Sequence, residues 1–158
     1  IITKLIGEFN MGAALNLYDQ DFYAWTQEQA KLIKDNLLGK LDLIHLQEEL
    51  ISMGASEKRE LGHRLEKLLM HLLKWKYQPN LQCRSWRLTV KEQRKKLLMH
   101  LKDNPSLKNT ETFTERFSAA YDTAVLKAAQ ETGLDEDIFP EECEWSITEI
   151  LSDNFLPN

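Results

Sequence analysis

The sequence predicts an all-α protein, folded as an up-and-down bundle of four to five helices. Apolar residues recur at spacings of three and four in several long segments, which is the period of an amphipathic helix. No alternating run of β-branched residues suggests a strand, and turn-forming residues separate the periodic segments. At 158 residues, with 42% hydrophobic and 28% charged residues, the chain is long enough for one folded core. We therefore expect a single helical domain over residues 11–158.

The first two predicted helices lie before Gly54. Asp19 is the expected N-cap of the first helix, and Gly39 the expected stop. Asp42 is expected to cap the second. Their apolar-face positions are Phe22, Trp25, Gln29 and Leu32, then Leu43, Leu46, Leu50 and Met53. Gly54 either ends the second helix or lies within a longer one, since an isolated glycine costs about 1 kcal/mol. The sequence leaves both alternatives open.

The next three helices have clearer patterns. A core helix is expected from Ser56 to Trp75 and to end before Pro79, because proline disfavours helical geometry in the preceding residue. Further helices are expected over about residues 86–102 and 112–132, the latter closed by Gly133. In the tail, Ser146 and Glu149 have the S-x-x-E spacing of a capping box and predict a short last helix.

The first ten residues, IITKLIGEFN, precede Met11 and lack the features of a signal peptide. We expect residues 1–10 to be a leader added in cloning and Met11 to be the natural start.

Composition bounds the class of protein. Cys83 and Cys143 form neither a CxxC pair nor a disulfide framework, which favours a reducing compartment, by default the cytoplasm. No apolar run approaches the roughly 18 residues of a membrane span. A net charge of -5 argues against nonspecific coating of nucleic acid. We therefore expect no membrane and no nucleic-acid partner.

A basic aromatic segment over residues 71–96 is the most conspicuous feature of the sequence. It holds eight Lys or Arg residues with interleaved aromatic rings, which is typical of a surface that binds nucleic acid. Helical angles divide the charges, however. Arg87 and Arg94 lie at the margin of the apolar face, and Trp75 and Trp86 are expected to pack beside them. We therefore interpret the segment as a structural clasp.

The inward arginines need partners, because a guanidinium at the edge of a core is costly unless it meets carboxylates or carbonyls. We expect Glu48, Glu49 or Glu66 to pair with them, with His71, Gln78 and Gln93 able to join. The resulting candidate polar cluster consists of Glu48, Glu49, His71, Arg87, Gln93 and Arg94, with the aromatic rings of Trp75 and Trp86 beside it.

Metal and catalytic sites have weaker support. His45, Glu48 and Glu49 lie at i, i+3 and i+4, but the sequence lacks the motifs of di-iron bundles and of zinc proteases. Cys83 lies beside Arg84, with no histidine nearby in sequence to act as a base. We therefore predict no metal, no cofactor and no catalytic residue.

An acidic strip in the tail is opposite in charge to the basic segment. It comprises Asp135, Glu136, Asp137, Glu141, Glu142 and Glu144. Attraction within one molecule would hold the tail on the bundle; between molecules it would favour a homodimer or a basic partner. We favour the intramolecular contact, since Phe139, Trp145 and Ile150 are suited to burial.

Six blocks together resemble a known family. They are YDQDFYAW, LDLIHLQEEL, HLLKWKYQP, SWRLTVKEQRKK, LKDNPSL, and FPEEC with the closing DNFLP. In this order they resemble the domain-of-unknown-function family numbered twenty-nine, over nearly the whole chain from Tyr18. The resemblance implies a bacterial, all-helical bundle without an established activity, so it leaves the function open.

The sequence thus favours a protein-interaction or regulatory module without catalysis, binding an unknown partner or a second copy. The alternative is a small metal-dependent enzyme or nucleic-acid-binding protein that uses the polar cluster around His71, Arg87, Arg94 and Glu48.

Overall fold

A computed structural model describes residues 17–158 of the chain. Residues 1–10 and Met11, on which the expected leader and start depend, lie outside the described residues. Residues 17–20 are helical, and five α-helices follow: α1 (Phe22–Lys34), α2 (Leu43–Tyr77), α3 (Arg84–Asp103), α4 (Thr110–Thr132) and α5 (Ile147–Leu151). Between residues 17 and 158 there is no strand. The prediction of an all-α helical bundle is confirmed.

The chain divides into two compact units, the first ending at Gly54 and the second beginning at Ala55. A single domain over residues 11–158 stays a prediction.

The first unit contains α1 and residues 43–54 of α2. Asp21, rather than Asp19, caps α1, because its carboxylate accepts a hydrogen bond from the Ala24 N–H at 2.9 Å. The helix ends at Lys34, well before Gly39. Asn36 supplies the left-handed conformation (φ 55°), which asparagine tolerates better than most residues. Both ends of this helix therefore differ from the prediction. Asp21 is the N-cap in place of Asp19, and Asn36 has the left-handed conformation in place of Gly39.

Helix α2 continues without a break through Gly54, so the longer of the two alternatives is the observed one. The Asp42 side chain accepts from the N–H of His45, as its predicted capping role requires. The helix ends at Tyr77, two residues before Pro79, as predicted.

The second unit has a core built from the later part of α2, from α3 and from α4. Small residues of α4, namely Ala120, Ala124 and Ala128, are buried and permit close packing. The leucines of α2 and α3 fill the centre: Leu61, Leu65, Leu68, Leu69, Leu72, Leu73 and Leu97 are each no more than 1% exposed.

The ends of α4 and α5 match the sequence predictions. Gly133 closes α4 in the left-handed conformation (φ 71°), where a side chain would be strained. Ser146 and Glu149 form the reciprocal hydrogen bonds of a capping box at the start of α5. The tail packs onto the second unit through buried Phe139 and Ile150.

Candidate functional site

An exposed apolar surface lies on the first part of α2. Its members are 64–67% exposed although all are large and apolar: Leu43, Ile44, Leu50, Ile51 and Met53. At about 100° per residue, Leu43, Ile44, Leu50 and Ile51 fall within an arc of about 120°. Gln47, also exposed, lies inside that arc. We call Leu43, Ile44, Leu50 and Ile51, together with Gln47, the exposed face; Met53 lies outside the arc.

The opposite side of the same helix is occupied by a polar network with α1. Asp42 is its centre: it accepts from the Trp25 indole N–H at 3.2 Å and lies 2.6 Å from Nδ1 of His45. The side-chain oxygen of Gln29 accepts from the Asp42 N–H at 2.9 Å. Trp25 and Gln29 are each only 2% exposed. The buried contact between α1 and α2 is therefore made in part by hydrogen-bonded polar groups.

Tyr18 extends the network along α2. Its hydroxyl donates to Glu49 at 2.6 Å, and its ring stacks on that of His45 with centroids 3.9 Å apart. The hydrogen bond to Glu49 and burial raise the pKa of Tyr18 to about 12. Glu49 therefore works within the first unit as a hydrogen-bond acceptor for a tyrosine.

The Asp42–His45 pair shifts the pKa of both members. The hydrogen bond to Asp42 raises the pKa of His45, against a smaller opposing effect of desolvation. Burial alone would raise the pKa of Asp42, but hydrogen bonds from His45 and Trp25 together lower it. The pair thus favours an imidazolium beside a carboxylate.

Arg94, from the predicted polar cluster, is buried (2% exposed) as expected but takes other partners. Its Nε donates to the carbonyl of Ile150 at 2.6 Å, and its terminal nitrogens donate to the carbonyls of Asp153 (3.4 Å) and Phe155. The predicted carboxylate partner is therefore wrong for Arg94. The chain after α5 leaves the helical conformation, so its carbonyls lack partners within a helix and are free to accept.

Arg87 and Trp86 are placed differently from the expectation, whereas Trp75 is buried beside Arg87 as expected. Arg87 is exposed and lies over the ring of buried Trp75, 5.6 Å from its centroid. Trp86 is only half-buried, and Nζ of Lys74 lies 4.6 Å above its ring. Trp86 therefore packs against Lys74, a buried lysine, through a cation–π contact.

The other cluster members are described one by one. His71 donates through Nδ1 to the Lys67 carbonyl at 2.9 Å, and burial lowers its pKa. Gln93 is buried in the second unit, whereas Glu48 is exposed in the first. Glu66 pairs with Lys127 and not with an arginine. The cluster as a functional site stays a prediction.

The tail contact within one molecule is present. Lys76 and Glu144 form an ion pair at 2.5 Å, and the Tyr121 hydroxyl donates to the Pro140 carbonyl at 2.9 Å. The predicted intramolecular attraction between the basic segment and the acidic strip is confirmed at this pair.

Two shallow clefts of about 400 Å³ each lie on the second unit. One is lined by Trp75, Gln82, Cys83, Arg84, Arg87 and Leu88. The other has an acidic rim that includes Asp122, Glu136 and Asp137. Cys83 is free and exposed, whereas burial raises the pKa of the Cys143 thiol. Within residues 17–158 no three His, Cys, Asp or Glu side chains are grouped to hold a metal ion.

The sequence indicated the exposed face only in part. Its 3, 4, 3 pattern marked Leu43, Leu46, Leu50 and Met53 as one apolar face, but Ile44 and Ile51 were missed as members. The sequence did contain a signal for these two residues. Leu-Ile pairs recur seven residues apart, so the apolar arc of this helix is wider than contact with α1 alone requires.

No helix in the described part of the chain combines the length and the apolar character needed to cross a bilayer. No curated protein and no solved structure matches the chain significantly. The family model described as "Domain of unknown function DUF29" matches residues 17–156, which is nearly the whole chain. The chain therefore belongs to the DUF29 family, a family of unknown function.

Proposed function

We propose that the chain is a protein-interaction or regulatory module without catalytic activity of its own, and that it binds its partner through the exposed face of α2. The observation that carries the proposal is the exposure of Leu43, Ile44, Leu50 and Ile51, each 64–67% accessible on one side of a helix.

Single exposed apolar residues are ordinary on protein surfaces, whereas contiguous apolar patches mark interaction sites. The apolar residues of the exposed face are grouped rather than scattered: two Leu-Ile pairs lie about two turns apart on one side of the helix, with Gln47 between them. A helix with apolar residues at i, i+1, i+7 and i+8 presents a ridge that a partner helix or groove can cover. The proposal follows from this arrangement.

The exposed face also has a rigid support. Trp25, Asp42, His45 and Glu49 fix the other side of the helix through hydrogen bonds and ring contacts with α1 and Tyr18. A preorganised helix loses little conformational entropy when it binds, which favours a binding role.

The alternative function, a metal-dependent enzyme or a nucleic-acid binder, has less support. Arg94 is already satisfied by three backbone carbonyls, and Arg87 lies on Trp75. We further propose a bacterial, cytoplasmic protein. The free thiols of Cys83 and Cys143 fit a reducing compartment, and the resemblance of the sequence blocks implies the bacterial source.

Site-specific photo-crosslinking in the producing cell tests the proposal. We would place a photoreactive amino acid at Leu50, on the exposed face, and in a matched variant at Leu126, an exposed leucine of α4 in the second unit. On illumination we expect discrete covalent protein adducts from position 50, identified by mass spectrometry, and none of comparable yield from position 126.

The outcome that contradicts the proposal is equal or absent crosslinking at the two positions while circular dichroism shows both variants folded. An adduct with any defined protein at position 50, including another copy of the chain, supports an interaction surface there.

A further inference from the structure

We propose that the outer face of α3 binds an acidic segment of another protein, one that carries large apolar side chains among its Asp and Glu residues. The proposal goes beyond the proposed function, because this surface belongs to the second unit and the exposed face of α2 to the first. It is carried by the charge of the outer face, by its apolar residues and by a cleft at one end.

The outer face of α3 combines positive charge with apolar side chains. At about 100° per residue, eight residues of this helix fall within one arc of about 120°, and every one of them is exposed. They are Arg84, Arg87, Leu88, Lys91, Lys95, Leu98, Met99 and Lys102. We call these eight residues the basic face. It carries five positive charges and no carboxylate, in a chain whose net charge is -5.

The acidic residues of α3 itself lie outside the arc. They are Glu92, which forms an ion pair with Lys96, and Asp103 at the end of the helix. Within residues 17–158, none of the five cations of the basic face forms an ion pair. No direct contact in the described part of the chain therefore neutralises them.

Acidic residues of the neighbouring elements contact positions outside the basic face. Glu57 of α2 lies 3.6 Å from Nδ1 of His100, and Asp153 of the tail lies beside Arg94. The acidic strip of the tail forms its ion pair with Lys76. The basic face is thus available to a partner that brings negative charge of its own.

Three large apolar side chains lie among the cations. Leu88, Leu98 and Met99 are 53%, 43% and 55% exposed. A phosphate backbone offers no apolar surface to such side chains, because it binds proteins mainly through charge. Protein interfaces, by contrast, are enriched in Met and Arg and bury apolar side chains at their centre. The combination therefore favours an acidic protein over a nucleic acid.

A cleft at the first end of the basic face can accept a side chain of the partner. This cleft of about 400 Å³ is lined in part by Trp75, Gln82, Arg84, Arg87 and Leu88. Gln82 donates to the Trp75 carbonyl at 3.0 Å, and Arg87 lies over the Trp75 ring. Trp and Arg are enriched among the residues that dominate binding energy in protein interfaces. A carboxylate inserted here is expected to meet guanidinium groups, which can bind it through two hydrogen bonds each.

The start of α3 adds to the positive potential of the cleft. Its first turn has no acidic residue, and the side chain of the N-cap, Cys83, accepts no hydrogen bond from the helix. The first N–H groups of a helix lack partners within the helix and carry partial positive charge. Arginines at this end are unfavourable for the helix alone, and a negatively charged partner offsets that repulsion.

The dimensions of the basic face suit a small, transient interface. From Arg84 to Lys102 it is about 27 Å long at 1.5 Å per residue. In small interfaces between charged surfaces, the charges set the association rate and make binding sensitive to salt. We therefore expect fast and reversible binding that weakens as salt rises.

Fluorescence anisotropy with the full chain tests the chemistry of the partner. One labelled probe is a synthetic peptide of about 20 Glu and Leu residues at helical spacing, long enough to span the basic face. The other is a single-stranded oligothymidylate with the same number of negative charges. We expect the peptide to bind more tightly than the oligonucleotide, and to bind at least about tenfold more weakly at high salt than at low salt.

A pair of charge reversals locates the binding. Lys91→Glu with Lys95→Glu should weaken peptide binding by at least about tenfold. Lys31→Glu with Lys34→Glu, at exposed positions of α1, changes the net charge equally and should weaken it by less than about twofold. Equal losses in the two variants, or no binding of the peptide by the wild type, would overturn the proposal.

A second variant tests the apolar contribution. Leu98→Gln with Met99→Gln leaves every charge in place and should weaken peptide binding by about threefold or more, since apolar contacts are lost. Circular dichroism verifies that each variant is folded. Unchanged peptide binding, or tighter binding of the oligonucleotide than of the peptide, would overturn an acidic protein segment as the partner.

Photo-crosslinking in the producing cell applies the same test to the native partner. A photoreactive amino acid at Leu98 should give adducts whose crosslinked peptide, located by mass spectrometry, is acidic. The adducts should disappear when Lys91→Glu and Lys95→Glu are added, and Gln130, exposed on α4, should give none of comparable yield. Adducts that persist in the charge-reversed protein, or that map to segments without acidic residues, would contradict the proposal.

Failure here and failure of the proposed function give different results. Adducts at position 50 with none at position 98 retain the exposed face of α2 as a binding surface and overturn the basic face. Adducts at position 98 with none at position 50 have the opposite meaning.

Discussion

Arg94 shows how much chemistry a single residue supplies to this fold. Its guanidinium is 2% exposed and donates to three carbonyls, so it links α3 to α5 through Ile150 and to the chain after α5 through Asp153 and Phe155. The helical angle placed Arg94 inward correctly from the sequence. Its partners were not predictable, because backbone carbonyls carry no sequence signal, whereas glutamates do.

Replacing Arg94 by Met is expected to lower the free energy of unfolding by about 3–5 kcal/mol, since charged hydrogen bonds are lost and buried carbonyls are left unpaired. Arg94→Lys should be intermediate, because one ammonium cannot reach all three carbonyls. Urea unfolding followed by circular dichroism measures the difference.

Arg87→Met is the matched control, because Arg87 is exposed over Trp75 and its loss should cost about 1 kcal/mol or less. Equal stability of the Arg94→Met protein and the wild type would show that the tail carbonyls do not depend on Arg94.

His45 and Asp42 predict a pH dependence. Because the hydrogen bond to Asp42 raises the pKa of His45, an NMR titration of the His45 ring should give a pKa above its ordinary value of about 6.5. Asp42→Asn should lower that pKa, since a neutral amide no longer favours the imidazolium. An unchanged His45 pKa in the Asp42→Asn protein would contradict the pairing.

The sign of the effect on stability follows from these directions. A pKa raised in the folded state stabilises the fold below the unfolded pKa, and the stabilisation is lost as pH rises through the folded value. The lowered pKa of Asp42 acts oppositely: its stabilisation is lost as pH falls below about 4. The pair therefore stabilises the first unit most between about pH 4 and 6.5, and thermal unfolding of the wild type against His45→Gln should show this window.

At the scale of secondary-structure elements, the periodicity located every helix longer than ten residues, whereas helix ends depended on single residues. Asp21 took the capping role expected of Asp19, and Asn36 the left-handed position expected of Gly39. In each pair both residues are suitable in chemistry, so the sequence alone does not select between them.

Gly54, Gly62 and Gly133 give a test of helix continuity. A Cβ at Gly54 or Gly62 meets nothing within 4 Å, and both lie inside α2. Gly54→Ala and Gly62→Ala should each raise the free energy of unfolding by about 0.5–1 kcal/mol, because alanine favours a helix interior. Gly133→Ala should lower it, because the φ of 71° strains a side chain.

Thermal unfolding of the three variants at one pH distinguishes these outcomes. Destabilisation of Gly54→Ala comparable to that of Gly133→Ala would show that α2 is not helical at Gly54.

At the scale of the whole molecule, α2 changes environment along its length. Leu61, Leu65 and Leu68 are fully buried in the second unit, whereas Leu43 and Leu50 are exposed in the first. The sequence could not distinguish these two groups, because the same apolar spacing describes a buried stripe and an interaction face. Whether an apolar helix face is buried depends on which other segments pack against it, and the periodicity of the sequence does not encode those contacts.

Buried and exposed leucines of this one helix should therefore respond differently to truncation. Leu65→Ala is expected to cost about 2–5 kcal/mol of unfolding free energy, through lost burial and a residual cavity. Leu50→Ala in dilute solution should change it by less than about 0.5 kcal/mol, as for other surface positions. Urea unfolding at low protein concentration measures both, and a large loss for Leu50→Ala would place that side chain in a core.

The most direct test of the central claim, that the exposed face of α2 binds another protein chain, is the yield of covalent protein adducts from a photoreactive amino acid at position 50, compared with position 126, in the producing cell. Discrete adducts from position 50, and none of comparable yield from position 126, are the predicted result. Equal or absent crosslinking at the two positions, with both variants folded, would contradict the claim.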